Sequence, residues 1–231
     1  MAGLMKRRDF LATSAGTLAA CSSQAPPAPK RPNILFAIAD DQSWPHASAL
    51  GSKWVQTPAF DRVAREGAVF THSFATCPSC TPSRTSILSG RHIWQTGEGG
   101  VLYGTLPADL PLATHLLEDS GYHVGYTGKP WQPGDWQAGG LTRHPNCNEY
   151  NERKHTDPIP DGIDERDYAA NFDDFLADRP ADAPFFFWYG CTEPHRVYGD
   201  GVGVRHGKKL EDVDVPEFLP DTELVRSDLA D

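Results

Sequence analysis

The stretch Asn33-Ile-Leu-Phe-Ala-Ile-Ala-Asp-Asp41 decides the fold. From Ile34 to Ala39 it runs apolar without a polar break, the pattern of a strand buried on both faces of a parallel sheet, where helices cover each side. Two acids follow at its carboxyl end, the edge at which open α/β sheets bind ligands.

Working outward, Thr57-Pro58 supplies a cap and a proline at the first helical position, and Gly67 ends the helix begun there, with Phe60, Val63 and Ala64 on one face. Val69 to Phe74 reads as a short strand, Cys80 to Leu88 as a helix closed by Gly90, and Leu112 to Asp119 as a helix ended by Gly121. His123 to Thr127 and Phe185 to Gly190 read as further strands, with a helix from Tyr168 to Leu176 before the second. Strand and helix alternate, so the class is α/β. Residues 131–160, rich in Pro, Gly, Asn and Trp, have no usable period and read as a long loop or small insertion. The tail from Gly199 is charged and irregular, and residues 224–231 look like the opening turns of a helix.

The 231 residues, 39% hydrophobic and 23% charged, fit one ordinary globular domain better than two. Residues 1–20 read as an address: Lys6-Arg7-Arg8-Asp9-Phe10-Leu11 resembles a twin-arginine export signal, and Leu18-Ala19-Ala20-Cys21 resembles a lipobox, so that Cys21 would carry lipid. An alanine-rich helix is the plainer reading of the same residues. Residues 21–32 form a proline-rich tether, and 33–231 the domain. These signals imply an exported, periplasmic or cell-envelope lipoprotein held to the membrane through Cys21. Without residues 1–20 the chain keeps 18 basic and 30 acidic residues, a formal charge of −12, which argues against a nucleic-acid partner.

The five cysteines do not make the dense framework of a small disulfide-stapled domain, although Cys147 and Cys191 could pair. Cys77 and Cys80 have C-x-x-C spacing, which suggests redox or zinc chemistry. Neither a second such pair nor a matching histidine pair accompanies it, which weighs against a metal-thiolate site.

Four polar groups follow the apolar runs: Asp40-Asp41, Cys80 with Arg84, Lys129 in Thr127-Gly128-Lys129, and His195 in Glu193-Pro194-His195-Arg196. Each alone has a dull explanation, a capped turn or a solvated loop. Their order, each at a strand end or helix start, does not. Cys80 at a helix N-terminus meets unpaired backbone N–H groups and the positive end of the dipole, a setting for an anion, and Arg84 lies one turn on. Paired carboxylates suit a hard divalent cation.

Cys80-Thr-Pro-Ser-Arg-Thr-Ser-Ile-Leu-Ser-Gly-Arg91 resembles the signature of the type I sulfatases, Cys-x-Pro-Ser-Arg with a Leu-(Ser/Thr)-Gly-Arg ending. Residues 31–42 (RPNILFAIADDQ), the Thr-Gly-Lys element and Glu-Pro-His-Arg resemble other landmarks of that family, and residues 184–196 look most like its sulfamidase branch, which includes heparan N-sulfatase. The resemblance implies an alkaline-phosphatase-like, mostly parallel sheet flanked by helices, of which residues 33–231 would be the N-terminal part.

It implies oxidation of Cys80 to Cα-formylglycine by dedicated machinery in the cell, a hydrated aldehyde whose one hydroxyl attacks sulfur and whose other helps expel sulfate. It also implies a divalent cation, Ca²⁺, held by Asp40, Asp41 and the modified Cys80. Arg84 would steady the hydrate, Lys129 and His195 would bind sulfate oxygens or the leaving group, with His195 a candidate proton donor, and Arg91 would support the helix end. The substrate would be a sulfate ester or sulfamate of a sulfated saccharide, short or terminal because the acidic chain repels long polyanions.

Two departures stand out. The family commonly has Gly-Lys-Trp-His, whereas this chain has Gly128-Lys129-Pro130-Trp131, so that Trp131 stands where a histidine is expected; His144 and His155 are candidates to replace it. The Asp-Asn pair and further lysine of the family would lie beyond residue 231, and on its own this stretch is not expected to turn over. A phosphate or phosphonate monoester hydrolase on the same scaffold, and a surface lipoprotein that keeps only the fold, are the competing readings.

Overall fold

In a computed structural model of the chain, residues 30–231 are described; the export signal, the lipobox and most of the tether lie outside them. The sheet has four parallel strands in the order β1-β4-β2-β3, where β1 is Ile34–Ile38, β2 His123–Gly128, β3 Asn148–Glu149 and β4 Phe185–Gly190. The helices are α1 Pro58–Glu66, α2 Cys80–Ser89, α3 Ala113–Asp119, α4 Tyr168–Asp178, α5 Val202–Arg205 and α6 Glu223–Ala230. Short 3-10 turns join several of them. The alternating α/β pattern and the strands β2 and β4 are thus found as expected, and a helix forms at Glu223–Ala230 where helical turns were expected. Among the described residues no helix is long and apolar enough to cross a membrane.

β4 explains why an uninterrupted aromatic run makes a strand. On one face Phe186 and Trp188 enter a core with Leu88 of α2, Leu106, Tyr122, Val124, Tyr126 and Trp131. On the other, Phe185 and Phe187 meet Phe172 and Phe175 of α4, with Phe175 and Phe187 ring centres 4.5 Å apart. α4 fits closely because β2 presents Gly125, where a Cβ would lie 2.9 Å from the rings of Phe175 and Tyr150. A smaller cluster forms around Trp54, Val213 and Ala230.

Two expectations fail. β1 is not buried on both faces: it lies at the end of the strand order, and Leu35 is 56% exposed. Its unbroken apolar run therefore overstated its cover. Val69 to Phe74 is not a strand; it pairs with nothing in the sheet, and Phe70 and Phe74 stay exposed. A short apolar run specifies a strand only when a partner edge is within reach. The segment 131–160 is more ordered than its composition suggests, since it supplies β3 and buries Trp131 and Asn146.

The register sets the site. Ile38 pairs with Gly190 and Gly128 pairs with Gly190, so β1, β4 and β2 end at one level. Asp40-Asp41, Cys191–His195 and Lys129 therefore leave the sheet side by side. The close approach of the two loops needs glycine: a Cβ on Gly128, whose φ is +75°, would lie 2.0 Å from the Gly190 carbonyl oxygen, and one on Gly190 would lie 2.1 Å from that of Lys129.

Candidate active site

The chain turns sharply where β1 ends. Asp40 is 3% exposed, and its N–H donates to the Glu193 carbonyl at 3.3 Å, tying this turn to the one after β4. Asp41 then adopts a φ of 62°, in the left-handed region that an aspartate tolerates better than most side chains. α2 begins at Cys80, with the preceding Ser79 extended, so the thiol stands at the first helical position. The helix ends at Gly90 with φ 65°.

Cys80 Sγ lies 3.6 Å from Asp40 Oδ1 and 3.2 Å from Lys129 Nζ. Lys129 Nζ donates to Asp40 Oδ2, and Arg84 Nη2 donates to Asp40 Oδ1 at 3.2 Å. Burial pushes the Asp40 carboxyl up, but the hydrogen bond and charge of Lys129, joined by Arg84, outweigh it and hold the group below its ordinary 3.8. Asp40 is thus ionised and faces two cations, and the thiol shares that field. His195 Nε2 stands 3.5 Å from Asp41 Oδ2, while Nδ1 donates to the carbonyl of Arg196. In the neutral ring that tautomer leaves the Nε2 lone pair facing the site.

The candidate residues are brought together, with two differences in role. Donor atoms of Asp40, Cys80 and His195 lie within 4.8 Å of one another, a grouping suited to a cation; Asp41 joins it through His195 rather than directly. Arg84 does not reach Cys80. Its guanidinium donates to Asp40 and to the carbonyls of Lys129 at 2.8 Å and Pro130 at 3.2 Å, so it holds the carboxylate and the lysine loop instead of the nucleophile position.

Trp131 has a different task from the histidine it replaces. It is 1% exposed, its indole N–H donates to Thr85 Oγ1 on α2 at 2.7 Å, and its backbone N–H to Asn146 Oδ1. It fastens α2 to the lysine loop from within the core. Neither proposed substitute reaches the cleft. His144 stacks on Tyr126 at 4.8 Å and is driven to a pKa of about 4 by burial, and His155 lines an apolar groove with Leu35 and Phe172. A histidine besides His195 that does line the cleft is His92, just past the end of α2 and stacked on Trp94 at 4.3 Å. Only its place directly after Leu-Ser-Gly-Arg could have signalled it. The cleft has a volume of about 940 Å³ and is walled by Asp40, Asp41, Cys77, Cys80, Arg84 and Arg91 among others. All four cysteines of the described residues are free, so Cys147 and Cys191 do not pair.

A family model described as Sulfatase matches residues 32–208, which span β1, α2, the lysine loop and His195. The chain belongs to the sulfatase family. As a sulfatase-family chain it is 38% identical over 127 residues to steryl-sulfatase of Mus musculus, covering 51% of itself and 20% of that protein. It is 30% identical over 200 residues to N-acetylglucosamine-6-O-sulfatase of Bacteroides thetaiotaomicron, covering 81% of itself and 35% of that enzyme. Among solved structures it is similar to a protein in complex with its substrate D-glucosamine-2-N,6-O-disulfate, at 26% identity and a TM-score of 0.54, covering 77% of this chain and 38% of the other. The sulfatase fold, a mostly parallel sheet flanked by helices, is thereby shared, and the chain spans well under half of each relative. The family generally uses a formylglycine and a divalent cation, and the residues here fit both: a thiol at a helix start, and carboxylates able to supply hard oxygen donors beside it.

Proposed function

We propose that this chain carries the nucleophile half of a sulfatase acting on sulfated saccharides, with Cys80 the residue oxidised to formylglycine. The observation that carries the reading is the placement of Cys80 Sγ at the start of α2, 3.2 Å from Lys129 Nζ and 3.6 Å from Asp40 Oδ1. When present, the hydrated aldehyde supplies a nucleophilic hydroxyl and a second one that later helps release sulfate, and a Ca²⁺ ion supplies positive charge beside it.

The chain's own residues do the rest. Asp40 and Asp41, with residue 80, would hold the cation. Lys129 would bind a sulfate oxygen and steady negative charge at residue 80, while Arg84 keeps Asp40 and the lysine loop in place. The start of α2 adds backbone N–H groups and a favourable dipole for the anion. With protons on both ring nitrogens, Nδ1–H held by the Arg196 carbonyl and Nε2–H beside Asp41, His195 would give the Nε2 proton to the departing sugar oxygen or nitrogen.

Glycan substrates are favoured by two of the parallels, an N-acetylglucosamine-6-O-sulfatase and a structure holding a disulfated glucosamine. A glucosamine-type sulfate, O- or N-linked and terminal, is the substrate class we assign. Export and a lipid on Cys21 would put the enzyme in the cell envelope, where such glycans are met. The test compares hydrolysis of an aryl sulfate and an aryl phosphonate by the full-length protein made in cells with formylglycine-forming machinery. Sulfate turnover that vanishes in Cys80→Ala supports the reading, and phosphonate turnover with none of sulfate rejects it.

A further inference from the structure

We infer that Tyr168 and Asp164 are positioning residues that hold His195 in the site through Thr192 and Glu193. The inference rests on the role given to His195 as proton donor. His195 sits on the turn after β4, and its N–H donates to the Thr192 carbonyl at 2.9 Å, so the imidazole goes where Thr192 and Glu193 go.

Both residues are gripped from a segment that carries no functional motif. Glu193 Oε1 accepts the Asp164 N–H at 2.7 Å, and Oε2 accepts the Tyr168 hydroxyl at 3.2 Å. The same hydroxyl oxygen accepts the Thr192 N–H at 3.2 Å, and Thr192 Oγ1 donates to Asp164 Oδ2 at 2.9 Å. Arg166 Nη1 balances the Asp164 charge at 2.6 Å. Burial raises the Tyr168 pKa to about 12, so the phenol stays a donor at neutral pH.

The brace reaches the other side of the site as well. The Glu193 carbonyl accepts the Asp40 N–H, so the residue whose side chain is gripped by Asp164 and Tyr168 also fixes the turn that presents Asp40. Tyr168 opens α4, and its ring packs against Tyr189 of β4 at 5.2 Å. Removing only the hydroxyl therefore leaves the ring contact in place and deletes its three bonds to the His195 turn, to the Thr192 N–H, Thr192 Oγ1 and Glu193 Oε2. No atom of Tyr168 or Asp164 bonds Asp40, Cys80 or Lys129. Their action is on geometry.

The test uses the full-length protein with Tyr168→Phe, Asp164→Asn, His195→Ala and the double variant Tyr168→Phe/His195→Ala. Tyr168→Phe should lower kcat for an aryl sulfate about tenfold, the usual scale for residues that orient a functional side chain, with KM changed less than about twofold. In the His195→Ala background the same change should cost clearly less than in the wild type, because the side chain it chiefly positions is gone and only the link to the Asp40 turn remains. A second readout needs no turnover: among the nine histidines, the ring signals of His195, assigned with His195→Ala, should shift and broaden in Tyr168→Phe and Asp164→Asn while the others hold still. Unmoved His195 signals, general movement of all the histidines, or equal losses with and without His195 overturn the inference. If the full-length wild-type protein hydrolyses no sulfate, the functional reading fails on its own, and the ring spectra still decide the positioning.

Discussion

Replacing Asp40 by alanine leaves two cations facing a space that held their counter-charge. Asp40 is 3% exposed and the Arg84 side chain 2%, so solvent cannot take the place of the carboxylate. Breaking a buried pair by removing one partner costs about 3–5 kcal/mol. Arg84 keeps its bonds to the Lys129 and Pro130 carbonyls, and Lys129 keeps Cys80 within 3.2 Å, which puts the cost near the lower end, about 3 kcal/mol. With a urea slope of about 2 kcal/mol/M the unfolding midpoint should drop by about 1.5 M at unchanged slope. Adding Lys129→Met removes one orphaned charge, so Asp40→Ala/Lys129→Met should fall short of additivity by about 1–2 kcal/mol. A loss below about 0.5 kcal/mol for Asp40→Ala, the scale of a surface change, would refute the claim that this carboxylate neutralises buried cations.

Trp131→His should not create a catalytic group; it removes a buried indole and its bond to Thr85, so it should cost about 3 kcal/mol and raise no activity, read by urea unfolding and aryl sulfate turnover. Gly190→Ala would set a Cβ 2.1 Å from the Lys129 carbonyl, forcing the lysine loop off the end of β4; turnover should fall at least about tenfold, and an unchanged rate would count against the register-built site. Asp40 has a folded pKa below its ordinary 3.8, so its stabilisation is present above 3.8 and is lost as pH falls through the folded value. The gap in urea midpoint between wild type and Asp40→Asn should accordingly be full at neutral pH and close in acid below 3.8, and a gap that widened in acid would contradict the sign.

How much of this could be seen in the sequence differs from residue to residue. β4 was legible because burial on both faces leaves an unbroken apolar run, and the groups at the strand ends were legible because parallel strands that finish level bring their outgoing loops together. β1 has the same kind of run and an open face, since composition records what a strand could bury and not which neighbours it receives. Val69 to Phe74 (VFTHSF) has the composition of a short strand but receives no partner edge. Within the site, Asp40, Cys80, Lys129 and His195 could be read from motif and position. The partners of Arg84 could not, because an i, i+4 offset fixes a helix face and not where a long side chain ends. Asp164 and Tyr168 lay wholly outside view: their link to Thr192 and Glu193 spans 24–29 residues and exists only once α4 packs on β4.

The most direct test of the central claim is the mass of the peptide that contains Cys80, taken from the full chain made in cells that form formylglycine. The account predicts a side chain in which one oxygen has replaced the sulfur and two hydrogens, reactive toward hydrazides and lost in Cys80→Ala. An intact thiol, alkylated like the other free cysteines in a chain that still hydrolyses sulfate, would contradict it.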